Sequence, residues 1–332
     1  MPYLGEKIKK LGFGMMRLPE KDGAIDIEQV KEMTDLFMEA GFTYFDTAWA
    51  YNGSEDAVRQ VLVERYLRES FQLATKNAAW INCKNREDAI AQFDVSLKRT
   101  GAGYFDFYLL HNLGESRTRY FDEFGMWSWI QEKKAEGKIQ SRACYEVARK
   151  HGKPVVIMEP VKGGMLATPP ESVVEILKET EPDSSPASWA IRFAADLEGV
   201  ITVLSGMSNT EQMKDNLSYM REFSKLTSVQ KETIEKAQEA LAKMPLIPCT
   251  SCNYCAKVCP QNIGISGSFT AMNYLTLYGS KERAKGQEGW LVGRHGKAQA
   301  DKCMKCGKCE QVCPQHIAIR ENLDLVCREL LQ

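Results

Sequence analysis

Eight of the eleven cysteines in this 332-residue chain lie in two short runs near its C-terminal end. Each run has the pattern C-x-x-C-x-x-C-x-x-x-C and is followed directly by proline. Three cysteines at this spacing can hold one iron–sulfur cubane, and in two-cluster ferredoxins the fourth cysteine of each run binds the other cluster. The sequence therefore predicts two 4Fe–4S clusters. One ligand set is Cys249, Cys252, Cys255 and Cys313, and the other is Cys303, Cys306, Cys309 and Cys259.

A pair of structural zinc sites is the alternative interpretation of these runs. Zinc sites usually contain two C-x-x-C pairs separated by a longer loop, without a third cysteine or a trailing proline. The observed spacing therefore favours iron–sulfur clusters. The insert between the runs (264–300) contains a basic, glycine-rich stretch that we interpret as a solvated loop, with a docking surface as the alternative. The three remaining cysteines, Cys83, Cys144 and Cys327, are expected to be buried apolar residues.

The charge balance and the hydropathy exclude several classes of protein. The chain has 43 Lys and Arg against 44 Asp and Glu, so we expect no nucleic-acid partner and no anionic membrane surface. The N-terminal segment is charged, and no apolar run approaches the length of a membrane span. Clustered cysteines in a chain of this kind indicate a reducing compartment, which predicts a cytoplasmic protein.

Up to about position 225, short β-branched or aromatic runs alternate with amphipathic stretches. Helices are predicted to begin after Asp26, Ser54 and Asn85, and Gly41 and Gly101 are predicted to end the first and the third. Repeated strand–helix units imply a parallel sheet covered by helices, either a (β/α) barrel or a doubly wound sheet. The predicted strands are 9–15, 42–46, 71–76, 105–111, 154–159 and 200–205.

Polar residues at the carboxyl ends of three successive strands favour the barrel. These residues are Asp46, Lys76 and His111, and a barrel gathers such strand ends into one site. Tyr51 follows closely after Asp46. A lysine ammonium beside a tyrosine hydroxyl lowers the tyrosine pKa from about 10 and makes it a better proton donor. Taken alone, Asp46 or Lys76 is equally consistent with a salt bridge, and His111 with a buried core residue.

The last predicted strand is followed by a second candidate site. Ser208 and Glu211 have the spacing of a capping box, which would open a helix directly after Gly206. The N-terminus of a helix at the mouth of a barrel is a common phosphate site. An ordinary helix cap is the alternative interpretation.

The spacing of the strands breaks between 105–111 and 154–159. Nearly fifty residues separate these strands, and the gap contains two helical stretches (126–140 and 141–152) with no strand between them. After position 228 the composition changes, so we predict a barrel domain over 1–228 and a cluster-binding domain over 229–332.

The chain resembles the aldo-keto reductase family, in the bacterial subgroup that carries a C-terminal two-cluster ferredoxin domain. The resemblance covers nearly the whole chain. Its motifs are LGFGMMRLP, FDTAWAYNGSE, LATKN, LLHN, EPVKGG, SGMSN…DN, IPCTSCNYCAKVCP and CMKCGKCEQVCPQHI.

This resemblance implies a (β/α)8 barrel in which Tyr51 is the general acid/base, Lys76 and Asp46 tune it, and His111 places a carbonyl. It also implies an extended NAD(P)H. Asn216 would contact the adenine, and a loop would cover the pyrophosphate. The choice between NADP and NAD stays open, because Gln212 stands where NADPH-preferring members often carry arginine. The implied nucleotide-binding residues are Pro160, Val161, Lys162, Gly163, Ser205, Gly206, Met207, Asn209, Gln212 and Asn216.

The departure from the family coincides with the break in spacing, because the fifth and sixth strands of the barrel are missing from this sequence. We therefore weigh two functions. The first is NAD(P)-dependent reduction of a carbonyl or oxidation of an alcohol, coupled to or accompanied by the clusters through a partner such as a ferredoxin or a flavoprotein. The second is an electron-transfer or scaffold protein whose barrel has lost hydride transfer. A purely structural role of the clusters is a third, weaker alternative.

Overall fold

A parallel sheet of six strands forms the centre of the first part of the chain. The computed structural model describes residues 8–113, 115–135 and 155–332. The six strands are β1 (Leu11–Gly14), β4 (Tyr44–Asp46), β5 (Gln72–Asn77), β6 (Phe107–Leu110), β7 (Val155–Met158) and β8 (Val200–Ser205). A small antiparallel hairpin, β2 (Glu20–Lys21) and β3 (Ala24–Ile25), follows β1. All six predicted strands are confirmed.

The strand order is β6-β5-β4-β1-β8-β7. The first strand lies beside the last one, with Phe13 opposite Phe45 on one side and Leu11 opposite Val203 on the other. A barrel requires this arrangement, because its sheet closes when the first strand pairs with the last one. The structure thus confirms the barrel-type sheet, of which six strands are present.

Strands β6 and β7 form the two outer edges of this sheet. In the described part of the chain, β6 pairs with β5 alone and β7 pairs with β8 alone. The described residues between them form two helices and no strand. Residues 136–154, which include the helix expected at 141–152, lie outside the described residues, as does Cys144. Among the described residues, no strand corresponds to the fifth and sixth strands of the predicted barrel.

Helices follow the strands of this sheet. Two predicted N-caps are confirmed, since the carboxylate of Asp26 accepts from the Gln29 amide (3.1 Å) and the side chain of Asn85 accepts from the Asp88 amide (2.8 Å). The helices up to the end of the sheet region are α1 (Ile27–Glu39), α2 (Ser54–Val58), α3 (Arg86–Thr100), α4 (Glu115–Glu123), α5 (Met126–Ala135), α6 (Glu171–Thr180), α7 (Pro186–Asp196) and α8 (Thr210–Met220).

The cap predicted at Ser54 is wrong. Gly53, with φ of 70°, is the N-cap of α2, and Ser54 is the first helical residue. The Ser54 hydroxyl instead donates to the carbonyl of Met15 at 2.7 Å, which ties the start of α2 to the end of β1. The predicted helix over 55–66 continues from α2 as a π-helix over Arg59–Val63.

The described residues divide into two units, and helix α6 belongs to the second. The first unit contains the described residues up to Ala167 together with Ala187–Thr227, and the second contains Thr168–Pro186 and Ser228–Gln332. Helix α6 packs along α9 (Ser228–Ala242), where the hydroxyls of Thr180 and Thr233 lie 2.6 Å apart. The segment 168–186 therefore groups with the second unit, whereas the sequence prediction assigned it to the barrel domain.

The second unit is mainly helical, as predicted. Its insert between the cysteine runs is not a solvated loop, because it folds into two helices. Ala284 and Val292 are buried, and Ser280 caps the second of the two helices. No helix in the described residues is both long and apolar enough to cross a membrane. The remaining helices are α10 (Tyr254–Val258), α11 (Ile265–Tyr278), α12 (Lys281–Leu291), α13 (Lys308–Gln311) and α14 (Ile319–Leu330).

Candidate active site and cysteine pockets

Lys76 lies at the centre of a buried polar group at the carboxyl ends of β4 and β5. Its side chain and that of Asp46 are each 2 % exposed, and its ammonium donates to an Asp46 carboxylate oxygen. The same ammonium donates to the Thr47 carbonyl at 2.6 Å and to the Tyr51 hydroxyl at 3.3 Å. The structure thus brings three of the four residues predicted for catalysis into direct contact.

Backbone hydrogen bonds hold the loop that carries Tyr51 over the end of β5. The Thr47 amide donates to the Ala74 carbonyl (2.8 Å), and the Trp49 amide donates to the Lys76 carbonyl (3.2 Å). The sheet pairing continues in this way beyond the last residue of β4. The Tyr51 hydroxyl is placed above Lys76 as a result.

The pKa values of Tyr51 and Asp46 are set mainly by burial. Burial raises the pKa of Tyr51 above 10, and the Lys76 ammonium only partly offsets that effect. The Lys76 charge therefore lowers the pKa of Tyr51, as expected, but by less than burial raises it. Burial also raises the pKa of the Asp46 carboxyl, against the pull of the Lys76 charge. The second carboxylate oxygen of Asp46 is buried without a hydrogen-bond partner among the described residues.

His111, the fourth predicted residue, follows β6 and faces Tyr51. The two ring centroids lie 5.5 Å apart in an edge-on arrangement. Burial lowers the pKa of His111 to about 4, and the positive charges of Lys76 and Arg117 add to this shift. His111 is therefore a neutral imidazole at pH 7. Its buried Nδ1 has no hydrogen-bond partner in the described part of the chain.

Asn77, Trp49 and Trp80 lie close to these residues in the sequence, and their side chains differ in their contacts. Asn77 belongs to the core, where its amide donates to the Ala89 carbonyl at 2.7 Å. Trp49 is packed beneath the guanidinium of Arg99, 5.3 Å from the ring centroid. Trp80 alone adjoins the histidine, because its indole N–H donates to the His111 carbonyl at 3.0 Å.

Two charged residues near this site were missed by the sequence analysis. Arg117, in the first turn of α4, lies over the ring of Trp80 at 4.1 Å. Glu159, directly after β7, adds to the rise in the pKa of Tyr51 through its negative charge. Arg117 belongs to no motif, and Glu159 opens the EPVKGG motif without a predicted role; the proximity of both to the site depends on packing between distant segments. A left-handed backbone at Glu159 (φ 53°), unusual outside glycine, marks the turn after β7.

The capping box predicted after β8 is wrong by one residue. Asn209 is the N-cap of α8, and its side chain accepts from the Gln212 amide at 2.9 Å. The Gln212 side chain reaches back and accepts from the Ser208 amide at 2.8 Å. Asn209 takes this role because its backbone is extended, as an N-cap requires. The first-turn amides of Thr210 and Glu211 form no backbone hydrogen bond within the described residues.

The other residues implied for nucleotide binding lie after β7 and β8. Asn216 is 3 % exposed; its amide group donates to the Ser205 hydroxyl (2.7 Å) and accepts from the Tyr219 hydroxyl (2.5 Å). Met207 is buried, and Gly206 is exposed beside it. The segment that begins at Pro160 and Val161 continues as a 3-10 helix over Lys162–Ala167, which contains Gly163.

The eight cysteines of the two runs line two separate pockets. Each pocket has three cysteines from one run and the fourth cysteine of the other, and encloses roughly 320–330 Å³ of empty space including its open side. These are the two ligand sets expected from the spacing. The first pocket is lined by Cys249, Cys252, Cys255 and Cys313, and the second by Cys259, Cys303, Cys306 and Cys309.

The separation of the thiols fits a cluster better than a single ion. In the part of the chain that the structure describes, no three Cys, His, Asp or Glu side chains converge closely enough to hold one metal ion. Four thiols around a wider space suit a cubane, in which each iron binds its own cysteine. Each set has one exposed cysteine, which is Cys252 in the first and Cys306 in the second. Each also has one buried cysteine, Cys255 in the first and Cys309 in the second.

The backbone repeats around the two pockets. Residues before and after the second cysteine of each run have left-handed conformations, Ser251 (φ 56°) and Asn253 (φ 60°) in one, Lys305 (φ 59°) and Gly307 (φ 74°) in the other. The third residue after the last cysteine of each run repeats the same conformation. These two residues are Asn262 (φ 51°) and His316 (φ 50°).

Comparison with known proteins finds two family models in this chain. The aldo/keto reductase family model matches residues 10–144 and 138–239, and a 4Fe–4S dicluster domain matches residues 248–318. An aldo-keto reductase of Mycolicibacterium smegmatis is 26 % identical over 137 residues, which is 41 % of this chain and 46 % of that protein. Aldo-keto reductase family 1 member C21 of Rattus norvegicus is 31 % identical over 112 residues, 32 % of this chain and 33 % of that protein. The chain thus spans less than half the length of these curated relatives.

Solved structures show the same fold. The holo form of an aldo-keto reductase from Bacillus halodurans superposes with a TM-score of 0.57 at 24 % identity, covering 71 % of this chain and 95 % of that one. An aldo-keto reductase from Klebsiella pneumoniae, solved in complex with NADPH, gives a TM-score of 0.54 at 18 % identity, covering 70 % and 91 %.

Proposed function

The chain belongs to the aldo/keto reductase family and carries a 4Fe–4S dicluster domain, and we propose that it is an NAD(P)-dependent oxidoreductase that reduces a carbonyl or oxidises an alcohol. The observation that carries this proposal is the contact of the buried Lys76 ammonium with both Asp46 and the Tyr51 hydroxyl. A buried lysine that is held by a carboxylate can stabilise the phenolate that forms when a neighbouring tyrosine donates its proton.

Tyr51 is the proposed general acid in the reducing direction. Its raised pKa keeps the hydroxyl protonated at neutral pH, which is the form that donates a proton to a carbonyl oxygen. The phenolate that remains would be stabilised by the Lys76 ammonium 3.3 Å away. Asp46 balances the charge of Lys76 and fixes its position. In the oxidising direction Tyr51 would take the proton back.

His111 is the proposed residue that orients the carbonyl. A neutral imidazole donates a hydrogen bond without placing a second full positive charge beside Lys76. The lowered pKa, about 4, keeps His111 in this form throughout the neutral range. The edge-on contact with Tyr51 places both side chains toward the same small volume.

The nucleotide would be held by residues after β7 and β8. The N-terminus of α8, with the amides of Thr210 and Glu211, suits a phosphate, because the positive end of a helix favours an anion. When bound, NAD(P)H supplies a hydride to the carbonyl carbon. The side chain of Gln212 is occupied by the Ser208 amide, so it supports neither NADP nor NAD. We therefore propose both as candidates.

The second unit is proposed to bind two 4Fe–4S clusters through the eight cysteines named above. When bound, such clusters carry single electrons, whereas a hydride carries two, so coupling requires a redox partner such as a ferredoxin or a flavoprotein. The exposed Cys252 and Cys306 give each pocket a solvent-facing side for that exchange. A cytoplasmic location is part of this proposal, because the thiols must stay reduced to bind clusters.

Replacing Tyr51 with Phe tests the proposed reaction. We expect carbonyl reduction to fall roughly 100- to 10,000-fold, the usual contribution of a general acid, while cluster absorbance stays unchanged. Tyr66→Phe is the matched control, since the Tyr66 hydroxyl contacts Asp35 away from Lys76. Turnover by Tyr51→Phe at the wild-type rate would contradict the assignment.

An electron-transfer or scaffold function is the second candidate, and it is favoured by β6 and β7, each of which pairs with a single strand among the described residues. A family barrel closes with eight strands, whereas six are described here. Fluorescence titration of the anaerobically purified protein with NADH and NADPH separates the two candidates. Saturable binding of either nucleotide supports the reductase, and binding of neither supports electron transfer without hydride chemistry.

A further inference from the structure

The guanidinium of Arg117 lies over the ring of Trp80, beside the residues of the proposed active site. The guanidinium carbon lies 4.1 Å from the ring centroid, and the residue is half-buried. Stacking on an aromatic face fixes a guanidinium in one plane and leaves its N–H groups directed outward from the ring edge. The geometry therefore fixes the position of Arg117 but not its hydrogen-bond partners.

The position of Arg117 is close to the proposed reacting atoms. Trp80 donates to the His111 carbonyl (3.0 Å), and the rings of these two residues lie 6.0 Å apart. His111 in turn contacts Tyr51. The charge of Arg117 is near enough to contribute to the lowered pKa of His111. A carbonyl between Tyr51 and His111 would have Arg117 within the length of a small molecule.

In the part of the chain that the structure describes, no acidic side chain pairs with Arg117. Over residues 8–113, 115–135 and 155–332, no hydrogen bond or ion pair to its guanidinium is found, and Trp80 is its contact. The other arginines around it are occupied: Arg119 donates to the Tyr120 hydroxyl (3.1 Å), Arg86 to the Phe124 carbonyl (2.9 Å), and Arg99 to Glu55 (3.2 Å). Arg117 is thus a positioned cation with its donors available.

The other charges of the site leave this side positive. Lys76 and Asp46 neutralise each other. Glu159, directly after β7, forms no hydrogen bond or ion pair with Arg117 among the described residues. The residues proposed for the nucleotide follow β7 and β8. An anion beside Arg117 would therefore belong to the substrate and not to the nucleotide phosphates.

We propose that Arg117, stacked on Trp80, binds a carboxylate of the substrate, and that the substrate class is therefore carbonyl compounds that carry a carboxylate. The planar guanidinium matches a carboxylate through two parallel N–H···O bonds. The carboxylate is not consumed, because the reaction adds a hydride and a proton to the carbonyl group alone. This inference rests on the proposed reductase function.

The test compares 4-formylbenzoate with its methyl ester, which differ in the negative charge. For Arg117→Gln, we expect the ratio of kcat/KM for the acid over that for the ester to fall about 10- to 100-fold, the loss expected for charge-assisted hydrogen bonds. Most of the loss should be in KM. Arg117→Lys should restore part of the ratio, because it keeps the charge but not the bidentate geometry. Arg119→Gln, on the same helix, is the matched control and should leave the ratio unchanged.

Direct binding separates this inference from the proposed function. Calorimetric titration with 4-formylbenzoate reports the anion subsite without turnover. Binding weakened in Arg117→Gln but not in Arg119→Gln supports the subsite even if no turnover with NADH or NADPH is found, which would overturn only the reductase proposal. Tyr51-dependent turnover with an unchanged acid-to-ester ratio in Arg117→Gln would overturn the subsite and leave the reductase standing.

Discussion

Lys76→Met removes the cation from the buried ion pair and tests whether that pair organises the site. The variant keeps an unbranched side chain of similar length, so packing changes little. It leaves the Asp46 carboxylate, 2 % exposed, without its partner, and it also removes the bond to the Thr47 carbonyl. Breaking a buried pair on one side costs about 3–5 kcal/mol, because an uncompensated charge stays in the interior. We expect a loss of this size in the free energy of unfolding.

The pH dependence of that loss follows from the pKa of Asp46. Burial already raises this pKa above 3.8, and the Lys76 charge opposes the rise, so Lys76→Met should raise the pKa further. A folded pKa above the unfolded one means that the native state binds more protons in the pH window between them. The stability of the variant should therefore decrease as pH rises through this window and recover as pH falls. The penalty should be smaller at acidic pH than at pH 8.

Urea unfolding of the anaerobic protein, followed by tryptophan fluorescence at an acidic pH and at pH 8, measures the free energy of unfolding and its pH dependence. The double variant Asp46→Leu/Lys76→Met should recover most of the stability but none of the activity, because an apolar pair replaces the ion pair. Arg65→Met is the matched control. It breaks the partly exposed pair with Asp35 and should cost less than about 1 kcal/mol. A penalty below about 1 kcal/mol for Lys76→Met would refute the reasoning, since buried pairs broken on one side cost more.

Three further predictions follow from the fold and the sites. Proton NMR titration should give His111 a pKa of about 4, so native stability should rise with pH between that value and 6.5, where the unfolded histidine binds more protons; a pKa near 6.5 would contradict the burial argument. Cys259→Ser should lower bound iron by about half, and adding Cys303→Ser should cause no further loss, because both line one pocket; loss of nearly all iron would place them in different clusters. Gly12→Ala should lower stability by about 1–3 kcal/mol in thermal unfolding, because its methyl group would lie 2.5 Å from a side-chain carbon of the buried Leu204, which must shift against its neighbours; an unchanged melting temperature would show that this side chain moves without cost.

The sequence predicts the sheet and the grouping of the cysteines because both depend on local patterns. A strand buried on both faces is a continuous apolar run, and the parallel arrangement then brings Asp46, Lys76 and His111 to one edge. Spacing alone likewise implies that Cys259 lines the pocket of the other run. These inferences need only chain order and element type.

The remaining features depend on distances between segments that have no common pattern. The contact of Arg117 with Trp80 joins helix α4 to the loop after β5, and nothing in either segment indicates it. The direction of the pKa shift of Tyr51 depends on whether burial outweighs the Lys76 charge, and the depth of burial is unknown before the fold is built. At α8 the spacing predicts Ser208 as the cap, whereas the extended backbone of Asn209 makes that residue the N-cap.

The repeated backbone around the two cysteine pockets means that the C-terminal unit is built as two halves that exchange one thiol each. Because each pocket takes its fourth cysteine from the opposite run, neither run alone supplies all four cysteines of one pocket. The unit therefore resembles two copies of one cysteine-containing half joined in a single chain, with helices α11 and α12 between them. A cluster in either pocket would link the two halves of the unit, so metal binding and folding of this unit should be coupled.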